Sequence, residues 1–227
     1  YRDHRDIHSF PTRRSSDLMP KKVREVLEAG RAGAIPDTPK PGDPAFNRIR
    51  NMLIGTNALA LEAAGKKARE LGYNTLVLSS QITGEAGEIA KVFSAVAKDT
   101  VKGLGPVDKP ACIIAGGETT VTIKGSGLGG RNQEMALSFV REIYEDPGSY
   151  AGVSFLSAAT DGNDGPTDAA GAFASPDIVS AALKEGMRPN EYLRNNDSYR
   201  FFGRAEGLLK TGPTNTHVCD LQILLVD

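Results

Sequence analysis

The sharpest chemical signal in the sequence is the glycine-rich stretch GSGLGGRNQE, in which Arg131 stands at the start of a predicted helix. An arginine fork can hold a phosphate or a carboxylate through two parallel hydrogen bonds, and it can neutralise charge during phosphoryl transfer. Glycines permit close backbone approach, and helix N-termini attract anions. The stretch therefore favours anion binding, with an arginine that only caps a flexible loop as the alternative. Its glycines are Gly125, Gly127, Gly129 and Gly130.

A second group of polar residues follows a predicted short strand. Glu118, Thr119 and Thr120 come directly after Gly116 and Gly117, where a turn is expected. Their hydroxyl and carboxylate groups could orient a substrate or a hydrated Mg²⁺ ion. A purely structural β-turn explains the same residues about equally well.

A third group is the acidic loop ATDGNDGPTDAAG, which contains Asp161, Asp164 and Asp168. Carboxylates in a loop after a buried strand suit Mg²⁺ binding or general-base chemistry. A calcium loop is disfavoured because the twelfth-position glutamate of an EF-hand is missing. Plain turn chemistry from aspartate and glycine remains the alternative.

Neutral hydrogen-bonding residues occur in RNNDSY and KTGPTNTH, among them Asn196 and Thr214. They are typical of sugar-acid or nucleotide contacts, although turns explain them nearly as well. His217 is the one histidine beyond residue 18, and no GxSxG elbow accompanies it, which disfavours a serine hydrolase. Because no Walker A sequence or dinucleotide fingerprint is present, generic NTPase and dehydrogenase functions are weakened as well.

These groups are predicted to lie on an alternating α/β framework. Ligands of such folds bind in loops that follow strands. The predicted helices cover residues 21–29, 57–72 (capped by Asn57), 83–98, 132–144 and 176–184, and the predicted strands are NTLVLSS, two short strands around Gly116–Gly117, VSFLSAA and LQILLV.

Composition points to an ordinary globular protein of 227 residues with a net charge of −1. Such a charge attracts neither nucleic acid nor an anionic membrane, so the expected partners are small molecules. Cys112 and Cys219 stand in no zinc-binding or disulfide pattern, which favours the cytoplasm. Residues 1–18 mix Arg, Asp, His and Ser without periodicity, and we expect a non-native leader there, with a disordered native tail as the alternative.

Taken together, IAGGETTVTIKGSGLGGRNQEMALS, LSAATDGNDGPTDAAGAFA, NNDSY and TGPTNTHVCDLQI resemble the MOFRL domain of type 2 glycerate kinases in order and spacing. The preceding segments resemble the middle of that family, so the resemblance covers residues 19–227. It implies a partial Rossmann-like α/β domain with its linker over residues 19–108 and a smaller α/β MOFRL domain over residues 109–227. It also implies a cleft between two domains, ATP with Mg²⁺, and phosphorylation of D-glycerate to 2-phosphoglycerate, and it leaves a homo-oligomer open.

The resemblance also assigns roles to residues. Arg131 and Asp161 match catalytic positions, whereas no metal ligands are assigned. Ala159 and Asn163 depart from the usual loop pattern SAGTDGxDGPTDAAG. The positions matched to ATP or substrate binding are Gly116, Gly117, Glu118, Thr119, Gly129, Gly130, Asn132, Glu134, Asp164, Asp168, Asn196 and Thr214.

The resemblance further implies that the family's N-terminal domain, with its catalytic lysine, has no counterpart upstream of Pro20. We therefore expect this chain alone to lack part of the phosphate-binding machinery. Two other functions stay open at this point: a hydroxypyruvate reductase-type oxidoreductase and a non-catalytic ligand-binding fragment. Nicotinamide binding would favour the first of these, and ligand binding without turnover would favour the second.

Overall fold

The structure is a computed structural model in which residues 19–227 are described. The chain divides into two compact units after Met52. The described part of the first unit contains helix α1, Lys21–Arg31, and a 3-10 turn, Pro44–Phe46. The helix predicted over residues 21–29 is therefore confirmed, but it continues through Gly30 to Arg31, and Ala32 is its C-cap residue. The predicted leader lies outside the described residues.

The second unit, residues 53–227, is built on a mixed six-stranded sheet with the strand order β1-β2-β6-β3-β4-β5. Strands β1 and β2 are parallel, and every other neighbouring pair is antiparallel. The predicted α/β class is thus confirmed. Its strands are β1 Asn74–Ile82, β2 Ala111–Gly117, β3 Val153–Ala159, β4 Gly171–Ala174, β5 Leu208–Leu209 and β6 Asp220–Val226. Its helices are α2 Asn57–Glu70, α3 Ala86–Val101, α4 Arg131–Glu145, α5 Pro176–Lys184, α6 Pro189–Arg194 and α7 Ser198–Arg204, with a 3-10 turn at Pro147–Ser149.

Strand β2 is buried along its whole length because helices cover both faces of the sheet. Alternate side chains point to opposite faces of a strand. Ile113 therefore belongs to the large core around α4, whereas Ile114 packs with Leu61 of α2 in a second, smaller core. A fully buried isoleucine stabilises the fold by about 1.5–3 kcal/mol relative to an exposed one.

Helix α4 is the central helix of the large core. It packs against β3, β4 and four neighbouring helices, and most of its side chains after Asn132 are buried. Phe139 of α4 stacks on Phe155 of β3 with 4.6 Å between ring centroids. Because the body of α4 is held on several sides, its first turn presents side chains in fixed positions.

Two local predictions are wrong. The strand predicted after Gly117 is a loop in which Thr120 makes a single bridge to Glu85, because the backbone further along this loop bonds to side chains instead of to another strand. The cap of α2 is Thr56, whose hydroxyl accepts from the Leu59 amide at 3.2 Å. Asn57 instead donates its amide to the carbonyl of Asp220 at 2.9 Å.

Other predictions hold, and some elements were not foreseen. The bounds of β3 and α5 agree with the predicted segments. Strands β4 and β5 and helices α6 and α7 were not predicted because each has seven residues or fewer and shows no clear periodicity.

The domain boundary near residue 108 stays a prediction. No helix within residues 19–227 is long and apolar enough to cross a membrane.

Gly117 is the position where the end of β2 depends on glycine. Its φ is +147°, and an added Cβ would collide with the backbone carbonyl of Ile82. We expect Gly117→Ala to lower the free energy of unfolding by about 1–3 kcal/mol in urea titrations. Gly148→Ala, where a Cβ would meet nothing within 4 Å, is the matched control and should stay within about 0.5 kcal/mol. Equal stability of the two variants would contradict this account.

Candidate active site

A cleft of about 1030 Å³ lies at one edge of the sheet in the second unit. Strands β2 and β3 both end at this edge, and β6 begins between them, with Asp220 paired to Gly117 on one side and to Ala159 on the other. The cleft is lined by the loop after β2, the glycine-rich loop with the start of α4, and the loop after β3. Three further residues also line it: Thr83, Asn196 and His217. The ligand site expected after the strand ends stays a prediction, and this cleft is the candidate for it.

Arg131 is fixed in the cleft by a buried carboxylate. Its Nε donates to Asp220 Oδ2 at 2.6 Å, and its Nη2 donates to Asp220 Oδ1 at 2.9 Å. Asp220 is fully buried at the first position of β6, whereas Arg131 stays 26% exposed. The Asp220 hydrogen bonds raise the pKa of Arg131 above its ordinary value. The guanidinium is therefore permanently charged and its plane is fixed.

A second carboxylate contacts the outer side of the same guanidinium. Glu118 Oε1 accepts from Arg131 Nη1 at 3.0 Å, and the Glu118 side chain is half exposed. A guanidinium has five N–H donors, and these contacts occupy three of them. One N–H on each terminal nitrogen is left without a partner among the described residues, so Arg131 can still bind two oxygens of an anion.

The side chain of Asp164, which lies in the loop after β3, caps the N-terminus of α4. Its Oδ1 accepts from the Asn132 amide at 3.0 Å, and its Oδ2 accepts from the Gln133 amide at 2.8 Å. The side-chain amides of the same two residues add bonds of 3.2 and 3.0 Å. Burial raises the pKa of Asp164, against these hydrogen bonds, which lower it. The anion site that the sequence predicted at this helix start is thus filled by a carboxylate of the protein itself.

The glycine-rich loop is held by residues 195–197. Asn196 Oδ1 accepts from the amides of Lys124 and Gly125, and Asp197 Oδ1 accepts from the amide of Leu128. A Cβ at Gly127 would lie 2.5 Å from the Asn195 carbonyl oxygen. The glycines of this loop therefore serve close packing, and its backbone donors over residues 124–128 are largely used inside the protein.

Glu134 follows Arg131 by three residues and lies on the same face of α4. One of its oxygens, Oε1, accepts from the Asn196 amide at 3.2 Å, and the residue lines the cleft. Burial raises the pKa of Glu134 to about 7, against the Asn196 hydrogen bond, which lowers it. A carboxyl group that titrates near neutrality inside a cleft suits acid–base chemistry.

Three further polar residues line the cleft. Asp161 lies 3.4 Å from His217 Nδ1 through its Oδ2, and its Oδ1 accepts from the Asn163 amide at 3.0 Å. Thr119 is almost fully buried, and its hydroxyl has no hydrogen-bond partner among residues 19–227. Because an unpaired buried hydroxyl is costly, Thr119 is a natural contact for a ligand.

Five predicted binding residues do not line the cleft. Gly116 and Gly117 are buried in β2, and the buried Asn132 bonds to Ser157 and Asp164. Asp168 is exposed, and hydrogen bonds from Tyr199 and Lys210 hold its pKa below the ordinary value. The Thr214 hydroxyl donates to the Thr160 carbonyl. These contacts give all five residues structural roles, and their roles in ligand binding stay predictions.

The three aspartates of the acidic loop do not form a metal cage. Asp161 faces His217, Asp164 caps α4 and Asp168 pairs with Lys210. No group of three or more His, Cys, Asp or Glu residues within 19–227 is arranged to hold a metal ion. Mg²⁺ in phosphoryl-transfer sites is usually held by one or two carboxylates together with substrate phosphates. Asp161 and Glu118, both on the cleft lining, fit that smaller requirement.

Comparison with known proteins places this cleft in a family. Residues 111–220 match the model of the MOFRL family, which includes the cleft-lining residues of α4 and of the loops after β2 and β3. The chain is a homologue of the glycerate kinase and MOFRL family. The Thermotoga maritima D-glycerate 2-kinase is 37% identical over 92% of this chain and 48% of its own length. The Bos taurus glycerate kinase is 35% identical over 92% of this chain and 46% of its own length.

The chain is also similar to solved structures. The crystal structure of Thermotoga maritima glycerate kinase aligns with a TM-score of 0.75 and 35% identity, covering 90% of this chain and 50% of that one. A protein from Pyrococcus horikoshii aligns with a TM-score of 0.72 and 33% identity, covering 92% of this chain and 47% of that one. The fold is therefore that of the C-terminal part of glycerate kinase, and the chain spans about half the length of most of these relatives.

Sequence reasoning missed three residues that organise the cleft. The predicted strand LQILLV begins one residue after Asp220, although a charged residue at the start of a buried strand is a signal that it has a partner. Glu85 accepts from the Thr122 amide at 2.8 Å and holds the loop after β2. Asp197 was not singled out between its two asparagine neighbours and Ser198.

Removal of the Asp164 cap should loosen the first turn of α4. We expect Asp164→Ala to lower the free energy of unfolding by about 2–3 kcal/mol, because buried donors of Asn132 and Gln133 lose their acceptor. Hydrogen exchange at these two amides should also become faster. The control is Asp168→Ala, which removes an exposed ion pair and should leave the stability close to that of the wild type. Unchanged exchange at both amides would contradict the capping role.

Proposed function

We propose that this chain supplies the Arg131 cleft of an ATP-dependent glycerate 2-kinase. In the proposed reaction, the 2-hydroxyl of D-glycerate attacks the γ-phosphorus of ATP, and the products are 2-phosphoglycerate and ADP. The observation that carries the proposal is the Arg131 fork, which a buried Asp220 fixes inside a cleft of a glycerate kinase homologue. Kinase activity fits a cleft of this kind because phosphoryl transfer depends mainly on positioning and charge neutralisation.

Arg131 neutralises charge on the transferred phosphoryl group in this proposal. Its two unpaired N–H donors bind non-bridging oxygens while the Asp220 bonds keep the fork from rotating. A preformed donor pair of this kind needs no reorganisation as charge develops in the transition state. Glu118 contacts the same guanidinium from its exposed side, so an arriving phosphate competes with that carboxylate for Arg131.

Several neutral groups are available for the hydroxy acid and for the remaining phosphate oxygens. The Thr119 hydroxyl lacks a partner among the described residues, and Gly129 and Gly130 line the cleft just before α4. Backbone amides and hydroxyls orient anionic ligands without adding charge. We assign them to substrate binding together with Asn196.

Mg²⁺ is part of the proposal, with Glu118 and Asp161 as the residues that would hold it. Held there, the ion would supply positive charge that neutralises part of the charge of the phosphate groups. Since Asp164 is fully engaged at α4 and Asp168 at Lys210, neither is assigned to the metal.

The test compares Arg131→Lys and Arg131→Ala with Arg141→Lys, a control on the same helix that pairs with Glu142. Formation of 2-phosphoglycerate from D-glycerate and ATP is measured for this chain and for a fusion that places it after the unmatched part of the Thermotoga maritima enzyme. We expect both Arg131 variants to lose about 10²–10⁴-fold in kcat, because lysine cannot form the bidentate fork. Arg141→Lys should stay close to the wild type.

A well-folded wild-type fusion that makes no 2-phosphoglycerate but oxidises NADH with hydroxypyruvate would overturn the kinase proposal in favour of a reductase. A fusion that binds ATP and glycerate without turnover would overturn it in favour of a binding protein. Kinase activity that survives Arg131→Ala would remove Arg131 from the proposed mechanism. Circular dichroism of each variant verifies the fold in every case.

A further inference from the structure

Four acidic residues among those described line the cleft, and three of them are already engaged. Glu118 forms an ion pair with Arg131, and Asp161 pairs with His217. Asp164 accepts four hydrogen bonds at the start of α4. Glu134 is different because its one hydrogen bond, at Oε1, comes from the neutral amide of Asn196. Its second oxygen, Oε2, has no partner among the described residues.

The position of Glu134 is well defined despite this free oxygen. Asn196 donates to Glu134 and to the Thr122 carbonyl through Nδ2, and its Oδ1 holds the Lys124 and Gly125 amides. All hydrogen-bonding groups of the Asn196 side chain are thus in use, which fixes Glu134 Oε1 relative to the glycine-rich loop. The carboxylate lies on the same α4 face as Arg131, one turn further along the helix.

We propose that Glu134 is the proton acceptor of the cleft, the group that takes the proton from the hydroxyl of the hydroxy-acid substrate during phosphoryl transfer. This inference rests on the proposed kinase function and adds the acid–base residue to it. The free Oε2 accepts the proton as the substrate oxygen forms its bond to the γ-phosphorus. The bond from that phosphorus to the bridging oxygen breaks, and the electron pair leaves with ADP. The proton then passes from Glu134 to water.

The charges around Glu134 are consistent with this role. Glu85 and Asp164 raise its proton affinity, whereas Lys124 and the Asn196 hydrogen bond lower it. Arg131 lies on the same helix face but is neutralised by Asp220 and Glu118. Burial is the largest influence and sets the pKa of Glu134 to about 7. A base near neutrality accepts protons effectively and returns them to solvent. Activity should therefore rise as pH increases through about 7, where Glu134 becomes ionised.

The closing experiment measures kcat and KM between pH 5.5 and 9, a window of about two units around the expected pKa, for the wild-type chain and fusion described above. The variants are Glu134→Gln, which keeps the shape and loses the base, and Glu134→Asp, which keeps a carboxylate on a shorter stem. Glu145→Gln is the matched control, since it makes the same chemical change about 16 Å away at the exposed end of α4. In parallel, carbon-13 NMR of labelled glutamate follows the titration of Glu134 directly.

We expect Glu134→Gln to lower kcat by about 100-fold or more with little change in KM, and to abolish the rise of activity near pH 7. Glu134→Asp should recover part of the rate, and Glu145→Gln should match the wild type. A wild type that is active while Glu134→Gln keeps the rate and the pH dependence would overturn the inference and leave the kinase function intact. A folded wild type that is inactive at every pH would overturn the kinase function, and the inference with it.

Discussion

The buried carboxylate of Asp164 at the start of α4 is the interaction on which the cleft depends. Burying a carboxylate away from water costs free energy unless several hydrogen-bond donors replace its hydration shell. Here two backbone amides and two side-chain amides do so. The partial positive charge of the helix N-terminus adds to their effect. The same contact joins the loop after β3 to the first turn of α4, so both walls of the cleft are set by one group.

The Asp164 cap limits how the cleft can bind an anion. Since the second and third amides of α4 already have a negative partner, the usual helix-terminus site for a phosphate is not open. In the proposed function, the anion is bound instead by the side chain of the first helical residue, Arg131, which Asp220 holds from strand β6. A fixed guanidinium loses little conformational entropy when it binds an anion, which compensates for the unavailable backbone donors.

The parts of the molecule with strong local patterns could be predicted from the sequence. Helix α4 and strands β3 and β6 carry long apolar patterns, and the observed bounds of all three lie within one residue of the predicted ones. The role of the glycine-rich loop could not be predicted in the same way. Its amides bond to residues 195–197, about seventy positions later in the chain, and no local pattern reports such a contact. Asp164 was identified as chemically important, but its task as a cap depends on a helix about thirty residues earlier.

The carboxylates of the site have different roles mainly because their burial and their hydrogen-bond partners differ. Asp220 is fully buried, yet it stays paired with a cation through two short bonds, so it can hold Arg131 charged and immobile. Glu134 is partly buried next to the neutral amide of Asn196, which stabilises the ionised form less than a cation would. The first turn of α4 therefore carries a permanent positive charge at Arg131 and an exchangeable proton at Glu134. The proposed phosphoryl transfer uses both groups on one substrate, and a single helical turn provides that spacing.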